Sequence, residues 1–273
     1  MILVNEKFFE REEVKIDLED RGYQFGDGVY EVVRVYNGKT FRMDDHITRL
    51  KRSVNEIRIK LPMEPAEIKE KIHQLVEKNS LKDGIIYFQV TRGASPRNHS
   101  FPENTTSVLT AYTRDFARPL NDIKNGIKTV TIDDIRWLRC DIKTINLLGN
   151  VLAKQFAVEN NAKEAVQIRG DYVTEGSSSN FYIVKDGTII THPANNLILK
   201  GITRIVIEEI AAKLDIPFVE KEFTLDEALN ADEAFISSTT AEVSPVIQIN
   251  DHILSEQPGP VVRKLQAEFE QLI

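Results

Sequence analysis

At 273 residues the chain is long enough to bury one large core or two modest ones, and its 41 % hydrophobic and 28 % charged content excludes disordered and fibrous classes. A net charge of -7, from 35 basic against 42 acidic residues, speaks against a nucleic-acid partner, since phosphate binding wants a basic surface. The single cysteine, Cys140, excludes an intrachain disulfide and fits a reducing cytoplasm. The five scattered histidines show no zinc-ligand spacing, so no metal is expected, and neither a signal peptide nor a membrane span is legible.

Along the chain, β-branched and aromatic residues predict a strand over 29–36, and Asn37-Gly38 supplies a type I′ turn before 39–43 returns. Asp44 stands where it would cap a helix whose apolar positions Ile47, Leu50, Val54 and Ile57 follow helical spacing. A second helix begins near Pro65, with Ile68, Ile72, Leu75 and Val76 on one face and the proline in its favoured first turn. Strands over 85–91 and 107–113 flank a loop containing Gly93, Pro96 and Pro102. The pattern breaks over 114–122 around Pro119, which predicts a domain boundary and two domains, 1–118 and 119–273.

Beyond the boundary the pattern predicts a strand over 127–132, a helix over 147–160, and strands over 164–168 and 180–184. A tight turn follows at Asp186-Gly187, then a helix opening at Gly201-Ile202-Thr203, a strand over 233–238, and a closing helix from Pro260. This order is neither a regular strand-helix alternation nor a run of strands, so the expected class is α+β.

Four segments carry candidate chemistry. Lys143 follows the stretch Asp134-Ile135-Arg136-Trp137-Leu138-Arg139-Cys140-Asp141-Ile142. Any one lysine is by default a solvated surface residue, but a lysine amine among apolar groups and other cations turns nucleophilic toward carbonyls. Thr174-Glu175-Gly176-Ser177-Ser178-Ser179-Asn180 reads alone as a serine-rich loop; its small residues also let a backbone approach a cofactor, with Glu175 as a negative charge there.

Gly201-Ile202-Thr203 opens a helix whose free N–H groups suit a phosphate, a weak signal by itself, and Ser237-Ser238-Thr239-Thr240 adds hydroxyl donors or is simply a turn. Arg97 and His99, at i and i+2 of an extended loop, point the same way and suit one carboxylate. A surface loop without a ligand is an equal reading.

Together these segments, with Asp20-Arg21-Gly22-Tyr23-Gln24-Phe25-Gly26-Asp27-Gly28-Val29-Tyr30-Glu31 and Asn196-Leu197-Ile198-Leu199-Lys200-Gly201-Ile202-Thr203-Arg204, closely resemble the D-amino-acid (D-alanine) aminotransferases of class IV. The resemblance covers essentially the whole chain. It implies a fold-type IV enzyme of two α/β domains with pyridoxal 5'-phosphate at their interface, the lysine and phosphate site lying in 119–273 and the carboxylate trap in 1–118.

Lys143 would then be the Schiff-base lysine and the base that moves the α-proton, and Glu175 would pair with the protonated ring nitrogen. Arg49, Ile202, Thr203 and Thr239 would hold the phosphate, Leu199 would pack on the ring, Ser178 would join the cofactor's hydrogen bonds, and Ser238 would bind the cofactor as well. Tyr30, Arg97 and His99 would trap the substrate carboxylate, with Val32 on the Tyr30 face and Arg136 near the mouth. The family draws Arg97 and His99 from a partner subunit, which implies a homodimer. It also implies transfer of an amino group from D-alanine to 2-oxoglutarate in two half-reactions, serving bacterial cell-wall precursors. Branched-chain L-amino acid aminotransferases and aminodeoxychorismate lyases share the fold and are the alternatives.

Overall fold

An antiparallel sheet of six strands runs in the order β2 (Lys7–Phe9), β1 (Ile2–Val4), β6 (Val108–Asp115), β5 (Gly84–Thr91), β3 (Gly28–Tyr36) and β4 (Lys39–Thr40). The structure, a computed structural model, describes all 273 residues, Met1–Ile273. This sheet belongs to the first of two units, Met1–Ala117 with Ile142–Asn146; the second is Arg118–Asp141 with Leu147–Ile273.

Period-two alternation sorts β3 as a strand with one core face. Val29, Val33 and Val35 are fully buried, whereas Tyr30 and Val32 are half-buried on the other face. Asn37 and Gly38 both take positive φ, 49° and 77°, and make the predicted hairpin into β4.

Three helices complete the first unit: α1 (Arg21–Phe25), α2 (Met43–Glu56) and α3 (Pro65–Lys78). The apolar stripes of α2 and α3, including Leu50, Val54, Ile68, Ile72 and Leu75, share one core with Val29, Val33, Ile86 and Phe88. Helix α2 begins before Asp44: its N-cap is Arg42, left-handed at φ 53° and with no side-chain cap. Asp44 is therefore in the first turn, where an acidic charge suits the helix dipole and where Lys69 reaches it at 2.5 Å. Helix α3 starts at Pro65 as the sequence predicts, inside a Glu64–Glu67 capping box.

The second unit holds a mixed sheet in the order β12 (Phe218–Glu220), β11 (Thr188–Thr191), β10 (Asn180–Lys185), β13 (Glu233–Ser238), β14 (Glu242–Ile249), β7 (Ile127–Asp133), β8 (Glu164–Arg169) and β9 (Tyr172–Gly176). The short β15 (His252–Ile253) pairs with β14. The pairs β11–β12, β14–β7 and β7–β8 are parallel and the rest antiparallel, which with the helices gives the α+β class. Its helices are α4 (Leu120–Asn125), α5 (Leu148–Glu159), α6 (Ile202–Lys213), α7 (Leu225–Leu229) and α8 (Pro260–Glu270). No helix is long and apolar enough to cross a membrane.

The chain passes between units at Ala117 and Arg118, one residue from the expected boundary, and the stretch read as a linker contains the start of α4. Lys143, expected in the second domain, packs with the first. Ile142 is buried in the first unit's core, Thr144 bridges Val29, and Ile145 N–H donates to the Gly28 carbonyl at 3.1 Å. Five residues of the later sequence thus complete the earlier sheet's edge of β3. Replacing Ile142 by Ala is expected to cost about 2–5 kcal/mol in denaturant unfolding; a loss below ~1 kcal/mol would mean that this segment is not anchored through its isoleucine.

Candidate active site

Lys143 is held by its own backbone. Its carbonyl accepts from Tyr30 N–H at 3.0 Å, its N–H donates to Ser53 Oγ at 3.3 Å, and Asn146 Nδ2 donates to the Gly26 carbonyl at 2.7 Å. The amine lies 4.2 Å from the centroid of the Tyr30 ring and forms no hydrogen bond or ion pair. Tyr30 stacks on Tyr87 at 5.5 Å and Tyr87 on Tyr112 at 5.2 Å, so a column of three phenols lines this face of β3, β5 and β6. Burial, with the neighbouring phenols, pushes the Tyr87 hydroxyl well above its ordinary range, which leaves it a neutral hydrogen-bonding group that donates to Gln89 Oε1.

On the opposite face of β3, at a position the alternation reserves for an apolar side chain, Glu31 is fully buried. Arg49 grips it with two bonds, Nε to Oε1 at 2.8 Å and Nη2 to Oε2 at 2.7 Å, and His46 Nδ1 lies 2.7 Å from Oε2. Burial alone would raise the Glu31 carboxyl, but Arg49 and then His46 outweigh it and hold the group down at about 2. Burial lowers His46 below its ordinary value despite Glu31, so the ring is neutral at neutral pH and its Nδ1–H donates. The orientation of Arg49 is therefore set by a carboxylate beneath it.

In the second unit Glu175, on β9, is buried among donors. Arg136 Nη1 reaches Oε1 at 2.5 Å, Asn180 Nδ2 reaches Oε2 at 3.0 Å, and the Leu199 N–H lies 3.3 and 3.2 Å from the two oxygens. Burial pushes the Glu175 carboxyl above its ordinary value, outweighing the pull of Arg136. Arg136 in turn is gripped by Asp134 through Nε and Nη2 at 2.9 and 2.8 Å and donates to the Leu197 carbonyl. Although burial favours the neutral acid, Arg136 holds Asp134 at about 2. The Arg136 side chain, expected near a substrate mouth, is 6 % exposed, and Asp134 and Glu175 occupy its donors.

The Thr174–Asn180 stretch splits: Thr174, Glu175 and Gly176 end β9, 177–179 turn, and Asn180 opens β10. All three serine hydroxyls donate to one buried carboxylate, Glu164: Ser177 to Oε1, Ser178 to Oε2 at 3.2 Å and Ser179 to Oε2 at 2.8 Å. Of the three, only Ser178 is exposed. Leu199 is half-buried beside Glu175, and its carbonyl accepts from Asn180 Nδ2.

Helix α6 begins at Ile202 with Gly201 as N-cap, no side-chain cap, and no acidic residue in its first turn. A Cβ on Gly201 would lie 2.3 Å from Asn180 Oδ1, so only glycine lets the helix start there. Ile202 and Thr203 are buried at this uncapped, positive end, while Ser238 ends β13 and Thr239 follows it, both half-buried, the Ser238 hydroxyl accepting from Ala241 N–H. An uncapped helix start beside hydroxyls fits a phosphate, and a lysine amine free of hydrogen bonds beside β3 fits a carbonyl partner.

Arg97 and His99 sit exposed in the loop between β5 and β6. Both lie against the Phe25 ring, Arg97 Cζ at 4.8 Å and the His99 ring at 5.4 Å, in keeping with side chains two residues apart pointing one way. Neither makes a hydrogen bond or ring contact with Tyr30 or Lys143.

A family model described as Amino-transferase class IV matches residues 28–249. The D-alanine aminotransferase of Staphylococcus aureus (strain MSSA476) is 52 % identical over 274 residues, 100 % of this chain and 97 % of that protein. The chain belongs to the class IV aminotransferases. The D-alanine aminotransferase of Bacillus licheniformis is 48 % identical over 273 residues, 100 % of this chain and 96 % of that one. Among solved structures, the branched-chain amino acid aminotransferase of Escherichia coli matches with a TM-score of 0.95 at 25 % identity, covering 99 % of this chain and 93 % of that one. The T.th. branched-chain amino acid aminotransferase with pyridoxamine 5'-phosphate matches at 0.94 and 27 %, covering 99 % and 92 %. The chain is thus a pyridoxal-phosphate-dependent aminotransferase of fold-type IV.

Sequence reasoning passed over several residues that organise this aminotransferase: Glu31 and His46 around Arg49, Asp134 and Asn180 around Glu175, and Glu164 under the serine turn. Only Glu31 carried a signal, a carboxylate on the apolar phase of a strand. Its folded carboxyl, at about 2, lies below the ordinary 4.5, so the stability it contributes is complete above pH 4.5 and is lost as pH falls toward 2. In Glu31→Gln that dependence disappears. The gap in unfolding free energy between wild type and variant is expected to narrow by up to about 3 kcal/mol between pH 5 and pH 2; denaturant titrations at the two pH values that show a constant gap would contradict it.

Proposed function

We propose that the enzyme transfers the amino group of D-alanine and other D-amino acids to 2-oxoglutarate, giving pyruvate and D-glutamate in two half-reactions. The observation that carries the reading is the Lys143 amine, fixed through its backbone to β3 and α2 and free of hydrogen bonds beside Tyr30. Pyridoxal phosphate, when bound, supplies an electron sink for the negative charge that develops at Cα. The residues suited to hold it are Arg49, Ile202, Thr203, Ser238 and Thr239 for the phosphate and Leu199 against the ring, with Ser178 in reserve as the one exposed hydroxyl of its turn. As a carboxylate, Glu175 would keep a proton at the ring nitrogen by pairing with the cationic ring, and Arg136, clamped by Asp134, holds its negative charge in place against the cost of burial. Arg136 thus serves the site through Glu175 rather than by touching substrate. Lys143 Nζ takes the α-proton and returns it, and each half-reaction leaves the enzyme ready only for the other class of substrate, hence ping-pong kinetics.

The D configuration rests on Arg97 and His99 sharing one ring and on the relatives near half identity being D-alanine aminotransferases. With Tyr30 and Val32 on the pocket face of β3, the α-proton must point at Lys143, so the side on which the carboxylate binds selects the hand. The near-identical fold of branched-chain aminotransferases keeps an L-specific reading in play. We further infer a homodimer in which Arg97 and His99 serve the partner's substrate. It is supported by their exposure and by an unburied apolar stripe of Leu148, Val151, Leu152 and Phe156 on α5 with Ile135, Trp137 and Leu138 nearby in sequence. A cytoplasmic place, supplying D-amino acids for bacterial wall synthesis, completes the proposal; the lone, buried Cys140 suits it.

Lys143→Ala is expected to abolish both the visible absorbance of the coenzyme-loaded protein and turnover, by at least about a thousandfold. Wild-type activity in that variant would refute the lysine's role. Pyruvate release measured with single enantiomers of alanine decides the hand: turnover of D-alanine at least about a hundredfold over L-alanine is expected, and the reverse preference would favour the branched-chain type.

A further inference from the structure

The loop that bears Arg97 and His99 is exposed from Arg97 to Phe101, yet it is fastened from below. Arg21, buried on α1, donates Nη1 to the Asn98 carbonyl at 2.5 Å and Nη2 to the His99 carbonyl at 3.5 Å. Its Nε is held by Asp27 at 2.8 Å, and the same carboxylate takes two bonds from Arg92, at 2.7 and 3.0 Å. Arg92 spends its other donors on the Arg58 and Ile57 carbonyls, and its guanidinium lies 3.7 Å from the centroid of Phe101, with Arg58 over the same ring at 4.8 Å. Phe25 collects Arg21, Arg97 and His99 on one ring.

Four guanidinium groups around two rings would repel one another, and Asp27 is the carboxylate that binds two of them. Burial would raise its carboxyl, but Arg92 and Arg21 together hold it below the usual carboxylate range, so the negative charge persists through the neutral range. A buried guanidinium whose donors go to two consecutive loop carbonyls does little for the core. Its effect is to fix the peptide between residues 98 and 99, and with it the direction in which the side chains on either side leave the backbone.

We propose that Arg21, oriented by Asp27, is the positioning residue of the substrate-carboxylate site: it sets the 98–99 peptide so that Arg97 and His99 present their donors to one carboxylate. This rests on the reading that Arg97 and His99 bind that carboxylate. Arg21 itself touches no substrate. Its removal loosens the loop, so carboxylate binding weakens while proton transfer at Lys143 keeps its geometry.

The test is a double-mutant cycle on the coenzyme-loaded enzyme, with steady-state kinetics on D-alanine. Arg21→Met keeps the volume and removes the donors; KM is expected to rise about tenfold, the loss of one charge-assisted hydrogen bond, with the effect falling on KM rather than kcat. Arg21→Lys, which keeps the charge for Asp27 but donates from a single nitrogen, is expected to give an intermediate KM and serves should Arg21→Met fail to fold. In an Arg97→Ala background either substitution is expected to raise KM by clearly less than it does in the wild type, because only His99 is left to position. An unchanged KM in the Arg21 variants, or a rise that simply multiplies that of Arg97→Ala, overturns the proposal. An unchanged KM in Arg97→Ala alone overturns instead the assignment of the carboxylate trap, so the two failures are told apart.

Discussion

The position of one amine depends on a segment of five residues that the chain contributes to its first unit after it has begun its second. Ile142 is buried in the core beneath β3, Thr144 bridges Val29, and backbone bonds from Tyr30 and Ile145, with Ser53 and Asn146, fasten the peptide on either side of Lys143. A lysine side chain has enough free rotations to wander, and ordering it costs up to about 2 kcal/mol. Fixing the backbone at both neighbours and seating the amine over the Tyr30 ring removes part of that freedom before any ligand arrives, as the proposed proton transfer to and from a single carbon requires.

Buried charge is used here for orientation. Glu31 with Arg49 and His46, and Asp134 with Arg136 and Glu175, are carboxylate-guanidinium groups withdrawn from water. Such pairs contribute little net stability, because desolvation offsets the attraction, but each has few alternative geometries. The two clusters do different things to their carboxyls: Glu31, held by Arg49 and a neutral histidine against its burial, is driven down, whereas the burial of Glu175 outweighs the pull of an arginine that Asp134 also grips and drives it up. A carboxylate kept permanently ionised is a support for a cation, here the Arg49 guanidinium, whereas Arg136 and Asn180 fix the direction in which the Glu175 carboxyl can meet a partner.

Long amphipathic elements were legible from the residues themselves. The hairpin at Asn37-Gly38, the stripe through Ile68, Ile72 and Leu75, and the helix starting after Gly201 all form where local chemistry predicts. Elements without such periodicity were not. The strands Ile2–Val4, Lys7–Phe9 and Phe218–Glu220 have three residues each, too few for alternation to register. β14 was hidden by Pro245, which lacks a donor yet sits opposite Phe235 in register, with the ladder to β7 shifting at Val246 and Gln248. Tyr172–Gly176 was masked by its serine-rich continuation, whose hydroxyls turn inward only because Glu164, a residue of a neighbouring strand, accepts all three. The same holds for the site. Motif resemblance pointed to Lys143 and Glu175, but partners such as Asp134, Asn180 and Asp27 follow from tertiary contacts that no local pattern encodes.

The division between what the fold sets and what loops set bears on specificity. Branched-chain aminotransferases share this architecture almost residue for residue in backbone trace while three quarters of the sequence differs. The sheets and helices therefore belong to the fold common to the family, and a difference in substrate choice must be written in side chains that vary upon them. Tyr30 and Val32 project from a central strand and have little room to move; Arg97 and His99 stand on an exposed loop that has. A loop is a poor place for a two-pronged carboxylate grip unless its peptide is pinned, since an error of an ångström in either prong costs much of the affinity. The buried guanidinium of Arg21, bonded to the carbonyls of residues 98 and 99, ties an exposed loop of this chain to the buried Arg21–Asp27–Arg92 cluster.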